Sequence, residues 1–286
     1  MQRGPVAGIA LITDSASDLD ADLAARSGIQ IVPIEVRIGE LPPKEVARLS
    51  PEEFWHICAT SRSMPETSAP SPGAFNDAFL RAADEGYTGV VCVTLSSKLS
   101  ATYQAACNGA ESVGGRVEVA VVDSRSASLG QGMAVLEGVR RANAGAGLEE
   151  VCEVVRGQLS RTAIFGALDT LEHLRRGGRI GSAQAAFGSL LSIKPVIQVR
   201  DGEVVGEAKQ RTRARSLRYL VERVAKLGRL ERLAVAHAAA SDEDLGLLLE
   251  LVGGLEVSEA PLVGHLGPVV STHTGPGTVA LCAVVP

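Results

Sequence analysis

The sequence predicts an α/β protein: an N-terminal parallel-sheet α/β domain joined to a C-terminal mixed α+β domain. Three observations predict this. Short apolar runs alternate with helix-like segments through the first half, which implies a parallel sheet covered on both faces. A turn-rich break, "NAGAGL" at 143–148, ends that alternation. Beyond it a hairpin signal lies between helices, which doubly wound architecture does not contain. The two parts are read as residues 1–159 and 160–286.

The elements follow in order. "IALIT" (9–13) is a strand ending at Asp14 and Ser15. Residues 18–27 read as a helix and "IQIVPIEV" (29–36) as a second strand. "SPEEFWHICATS" (50–61) has a helix start written into it. Ser50 is the N-cap, Pro51 suits the first helical position, and Glu53 closes a capping box. "SPGAFNDAFLRAADEG" (71–86) repeats the Ser-Pro start, and "YTGVVCVTL" (87–95) is a buried strand by its β-branched run. A helix at 100–113 and a strand at 116–123 complete the first half. An amphipathic helix is expected at 149–159, a strand at 163–169 and a short helix at 170–178. Residues 193–211 form a hairpin with Asp201-Gly202 as its two-residue turn. A strand at 232–238, a helix at 242–252 started by Ser241, and a strand at 278–285 end the chain.

Composition bounds the function. The chain has 286 residues, 45% of them apolar and 21% charged, enough apolar surface to offset the entropy of ordering. A net charge of −5 with no basic arm argues against nucleic acid as a partner, and 3% aromatics offers no base-stacking platform. Cys58, Cys92, Cys107, Cys152 and Cys282 are odd in number and never spaced CxxC, which argues against a disulfide framework or a zinc knuckle. Cys92 and Cys282 lie in apolar runs and read as small buried hydrophobes. The N-terminal apolar stretch is too short for a secretory signal, and no window offers a transmembrane segment. The expectation is a soluble, reduced, cytoplasmic protein. No Walker A string, GxGxxG, HExxH or GxSxG occurs, so neither a cofactor nor a metal is expected.

Chemistry gathers where strands end and helices begin. "TDSASDL" (13–19) reads locally as an Asx turn with a helix N-cap. "TSAPSPGAF" (67–75) brings Thr67 and Ser68 into a stiff, Pro-bound loop. In "TLSSKLSATYQ" (94–104) a buried strand runs into Ser96, Ser97, Ser100 and Thr102. Such serines either cap the next helix or, with its exposed N–H groups, hold an anionic oxygen. His273 stands between Thr272 and Thr274, before a Gly-Pro-Gly turn, and reads equally as structural or as a ligand contact. Two basic stretches remain. In 211–216, Arg211, Arg213 and Arg215 alternate and form one extended face if the segment is a strand. In 173–182, Arg175, Arg176 and Arg179 surround two glycines, which suggests a close backbone approach.

Taken in order, these strings resemble the DegV family of bacterial fatty-acid-binding proteins over nearly the whole chain. "TDSASDL", "TSAPSPGAF", "LSSKLSATYQAA", "VVDSRSASLGQG", "LEHLRRGGRI", "LLSIKPVI", "DGEV" and "HTGPG" carry the resemblance. It implies a fatty acid held in a tunnel between two α/β-type domains, its carboxylate bound by hydroxyls and a histidine. By motif, Thr67 or Ser68 matches the first hydroxyl, Ser97 or Ser96 the second, and His273 the histidine. Arg179 resembles a position at the pocket rim or at a partner contact. The resemblance further implies a non-enzymatic carrier that presents its acid to a separate fatty acid kinase subunit for acyl-phosphate formation in phospholipid synthesis. Transient contact with a membrane surface is compatible with that role. Lys98 and Ala101 stand where the family usually carries glycine, and Ala69 where it carries glutamine. A left-handed backbone at Lys98 would be strained.

Two other readings compete. Ser97, His273 and either Asp14 or Asp123 would make a serine hydrolase or acyltransferase if they assembled as a triad. Residues 211–216 would serve a nucleic-acid-binding regulator, which the net charge disfavours.

Overall fold

The computed structural model describes residues 8–46, 49–61, 63–187 and 193–286. The first half runs β1 (Ile9–Asp14), one 3-10 turn (Ser15–Ser17), α1 (Ala21–Arg26), β2 (Gln30–Val32), β3 (Glu35–Arg37) and α2 (Pro43–Val46). It continues with α3 (Pro51–Thr60), β4 (Glu66–Ser68), α4 (Pro72–Asp84), β5 (Gly89–Thr94), α5 (Thr102–Glu111) and β6 (Glu118–Asp123). Then come α6 (Ser128–Asn143) and α7 (Leu148–Ser160). Strands β2-β1-β5-β6 form a wholly parallel sheet in that order. Phe75, Phe79 and Val90 pack on one of its faces, and Leu11, Val91, Val135 and Val155 on the other.

The strand expected at 29–36 divides in two. Pro33 has no N–H for the ladder, so the chain leaves the sheet after Val32. Residues Glu35–Arg37 then pair antiparallel with β4 in a separate two-stranded ribbon. The helix expected at 18–27 is shorter, because Asp18 takes a left-handed φ of 52° and Asp20 caps α1 instead. The capping box of α3 forms as read: Glu53 Oε2 accepts from Ser50 N at 2.8 Å and Ser50 Oγ from Glu53 N at 3.2 Å.

Helix α6 has no amphipathic stripe in the sequence because it is covered on both sides. Ala134 and Val135 face the parallel sheet, while Leu129 and Met133 face the second sheet. Its glycines permit this proximity: a Cβ on Gly138 would lie 2.9 Å from both Leu11 Cδ1 and Val155 Cγ2. An ion-pair cluster adds to the join, with Glu137 of α6 meeting Arg140 at 2.6 Å and Arg232 at 3.1 Å.

The second half contains β7 (Thr162–Ala167), α8 (Glu172–Arg176), α9 (Ala183–Phe187), β8 (Lys194–Arg200), β9 (Glu203–Gln210) and α10 (Arg213–Ala225). It ends with β10 (Arg232–His237), α11 (Asp242–Val252), β11 (Leu262–His265), α12 (Pro268–Thr274) and β12 (Val279–Val284). Six strands form a mixed sheet in the order β11-β10-β12-β7-β8-β9, with only β10 and β11 parallel. The hairpin turns at Asp201-Gly202 with φ of 52° and 85°, both positive as a type I′ turn demands. The alternating arginines at 211–216 are not an extended face. Thr212 caps α10 by accepting from Arg215 N, and Arg213 turns inward to Asp244 Oδ2 at 3.0 Å. Cys92 and Cys282 are fully buried, as read. Among the described residues no helix is long and apolar enough to cross a membrane.

Candidate functional site

The site begins at the last turn of α12. The sequence reading placed His273 before a Gly-Pro-Gly turn; it lies at the end of a helix whose start is held by Asp18. Asp18 Oδ1 accepts from Gly267 N at 2.9 Å, tying the first half of the chain to the N-cap of α12. Burial pushes the Asp18 carboxyl up to about 7. Asp14, closing β1, accepts from Ala16 N at 2.9 Å and from Leu95 N at 2.6 Å. These bonds fulfil the Asx-turn reading and also fix the loop after β5. Burial outweighs them and holds the Asp14 carboxyl up at about 6.

Thr67 sits in the middle of β4, opposite Val36. Its Oγ1 lies 2.8 Å from His273 Nε2, across 206 residues of sequence. Around this pair opens a narrow cavity of about 90 Å³. Ile34, Leu95, Ile197, Val199, Val204 and Val269 give it apolar walls. Its polar lining consists of Thr67, Ser100, Arg179, His273 and Thr274. The walls come from both halves of the chain, Ile34 and Leu95 from the first and Ile197, Val199, Val204 and Val269 from the second, so the cavity lies between the two halves. A second and larger cavity, about 660 Å³, adjoins it and shares Ile34 and Val269 as walls.

Electrostatics at the polar end are one-sided. Desolvation, then the Arg179 guanidinium and then His173, lower His273 from the usual histidine range to about 4. The ring is therefore neutral near pH 7. Arg179 is anchored at the cavity by Nε donating to Leu99 O at 3.2 Å and Nη1 to Gly177 O at 2.7 Å. A carboxylate placed there meets a cation, a hydroxyl pair and an imidazole N–H, the donors a desolvated anion needs.

The structure brings Thr67, Arg179 and His273 together; it does not bring Ser68, Ser96 or Ser97 to them. Ser68 points to solvent with its Oγ 3.4 Å from Glu35 Oε2, because alternate residues of a strand face opposite sides. Ser96 is buried, but its hydroxyl donates to Gly202 O at 2.7 Å in the hairpin turn. Ser97 is exposed, its Oγ donating to Asp123 Oδ2 at 2.5 Å and its N to Oδ1 at 3.0 Å. The hydroxyl on the cavity from this loop is Ser100, 2.8 Å from Thr102 Oγ1. Only the turn between β5 and α5 decides which serine points inward, and motif spacing does not encode it. Neither Lys98 nor Ala101 has a positive φ, so the departures from glycine carry no strain. The Ser97–Asp123 pair and the Thr67–His273 pair are separate, and both oxygens of Asp14 are held by backbone. The triad considered from sequence is not assembled. Among the described residues no group of three metal-ligating side chains occurs.

A model of the DegV family matches residues 8–285. A DegV domain-containing protein of Streptomyces coelicolor is 34% identical over 278 residues, 96% of this chain and 97% of that one. One from Clostridium perfringens is 32% identical over 279 residues, again 96% and 97%. Among solved structures, a fatty-acid-binding DegV family protein from Thermus thermophilus is 33% identical, with a TM-score of 0.84 over 98% of this chain and 100% of that one. DegV, a fatty acid binding protein from Bacillus subtilis, is 26% identical, with a TM-score of 0.86 over 98% and 100%.

Proposed function

The chain belongs to the DegV family, and we propose that it is a carrier that binds a long-chain fatty acid in the cavity between residues 1–159 and 160–286. The observation that carries this reading is the segregation of the cavity lining. Long apolar walls end at one polar cluster of Thr67, Ser100, Arg179 and His273. That is the distribution an acyl chain with a single carboxylate requires. Each buried CH₂ contributes roughly 0.8 kcal/mol, so the chain supplies most of the affinity and the cluster supplies orientation.

The carboxylate takes the place of the Thr67–His273 contact. Thr67 Oγ1 and His273 Nε2, 2.8 Å apart, turn from each other to its oxygens. Arg179 balances its charge. A neutral His273 donates a hydrogen bond without transferring its proton, so the acid stays ionised and nucleophilic. A long chain exceeds the narrow cavity of about 90 Å³. The shared wall at Ile34 and Val269 gives it a route into the larger cavity beyond.

The carrier presents its bound acid to a separate fatty acid kinase in the cytoplasm and performs no chemistry of its own. What supports presentation to a partner is that Arg175 and Arg176 stand exposed at the end of α8, a few residues before the cavity-lining Arg179. The test is acyl-phosphate formation from ATP and oleate by a fatty acid kinase, with this protein as the only source of bound acid. Turnover that depends on this protein and fails with His273→Ala supports the role. Turnover indifferent to both overturns it.

A further inference from the structure

Helices α8 and α12 meet through two histidine–glycine contacts. Gly177 ends α8 and faces His273 of α12. A Cβ built on Gly177 would overlap the ring's Nδ1 and lie 3.0 Å from its Cε1. Gly275 ends α12 and faces His173 of α8, where a Cβ would lie 2.6 Å from Cδ2 and 3.0 Å from Cγ. Each helix lays its histidine against the glycine that closes the other. His173 Nδ1 also lies 3.4 Å from Thr272 O, and Trp55 meets its ring edge-on at 6.3 Å.

At Gly177 the backbone itself is ordinary, with φ of −72° and ψ of −9°. Any residue could adopt it. What the position requires is the absent side chain. The consequence falls on the His273 ring. Its Nε2 has Thr67 Oγ1 at 2.8 Å, while its Nδ1 has no hydrogen-bond partner among the described residues. A neutral imidazole carries one proton. On Nδ1 it would be a buried donor facing the carbon skeleton of a glycine. On Nε2 it has an acceptor. A buried donor without an acceptor is the rarer and costlier arrangement.

We propose that Gly177 is a positioning residue: by setting bare backbone against Nδ1, it fixes His273 as the Nε2–H tautomer, a neutral donor aimed at Thr67 and at the cavity both residues line. This deepens, and rests on, the reading of His273 as a partner of the fatty acid carboxylate. A larger residue at 177 would swing the ring away from Thr67. The arginines on either side of the glycine pair then have a separate task at the cavity's edge, and the first glycine serves the histidine.

The test is a cycle of Gly177→Ala, His273→Ala and the double variant, read by calorimetric titration with oleate. It is joined to ¹⁵N nuclear magnetic resonance of the histidine rings in the ligand-free protein. Gly177→Ala should weaken oleate by about tenfold or more, as expected when a bond to a charged group is lost. In the double variant the added methyl occupies space the ring has vacated. Its loss should therefore be no greater than that of His273→Ala alone. Multiplying losses would overturn the proposal, since Gly177 would then act independently of the ring. The ring measurement needs no ligand and no variant. His273 protonated on Nε2 with a bare Nδ1 supports the tautomer; protonation on Nδ1 overturns it. Failure of the parent to bind oleate would count against the carrier reading, while the ring measurement would still decide the tautomer.

Discussion

Thr67→Val separates a ligand-holding hydroxyl from a structural one. The change removes one oxygen and keeps the β-branched shape. Thr67 pairs with Val36 between β3 and β4, where valine is a favoured strand residue, so the ribbon is preserved. In the ligand-free protein, the loss leaves His273 Nε2 without its partner at 2.8 Å. At this half-buried site that should lower stability by about 1 kcal/mol, the low end for a stranded polar group. In the complex, the hydroxyl donates to a carboxylate. Bonds to charged groups contribute about 1.5–3 kcal/mol, or roughly tenfold to hundredfold in affinity. The parent must first break the Thr67–His273 bond, which the valine variant no longer has. The two effects partly cancel, and Kd should rise by about tenfold. Calorimetric titration with oleate, alongside thermal unfolding, measures both. Ser97→Ala is the control, since its bond runs to Asp123 outside the cavity. Oleate binding unchanged in Thr67→Val, or weakened equally by Ser97→Ala, would refute the reasoning.

The Asp18 carboxyl is held up at about 7 from an ordinary 3.8, so between those values the folded protein keeps a proton that the unfolded chain has released. Stability should fall as pH rises through that window, and Asp18→Asn, which retains an acceptor for Gly267 N, should gain on the parent by a few kcal/mol between pH 4 and pH 8. Urea midpoints at the two pH values check this, and a difference independent of pH contradicts it. Val269 is part of the wall between the two cavities, so Val269→Phe should weaken octadecanoate far more than decanoate in competition titrations. Equal weakening would place the chain elsewhere. A Cβ on Gly109 would lie 2.7 Å from Pro72 O and 2.9 Å from Phe75 Cβ, so Gly109→Ala should destabilise by about 1–3 kcal/mol in chemical denaturation. Its oleate affinity should match the parent's, and a parallel loss of binding would tie the α4–α5 crossing to the site.

Elements with local signals were legible in the sequence. Ser50, Pro51 and Glu53 announced α3, and Asp201-Gly202 announced the hairpin, because capping and turn chemistry act over a few residues. Helix α6 was invisible for the opposite reason. Its residues are covered by both sheets, so no polar face produces a period. Strand β11 and helix α12 were also unread. Both are short, and α12 owes its start to a bond from Asp18, 249 residues away. At the site, motif order singled out Thr67, His273 and Arg179, which the fold gathers around one cavity. It offered Ser97 or Ser96 for the second hydroxyl and passed over Ser100, because that choice lies in how one turn after β5 satisfies its hydroxyls with Gly202, Asp123 and Thr102.

The most direct test of the carrier reading is mass spectrometry of the purified protein, under native and then denaturing conditions, before and after incubation with a mixture of fatty acids. The account predicts one fatty acid per chain, retained in the native spectrum and released intact on denaturation, and lost from the native spectrum of His273→Ala. A mass increase that survives denaturation would contradict it, by showing an acyl-enzyme. A protein that stays empty in the presence of added fatty acids would contradict it equally.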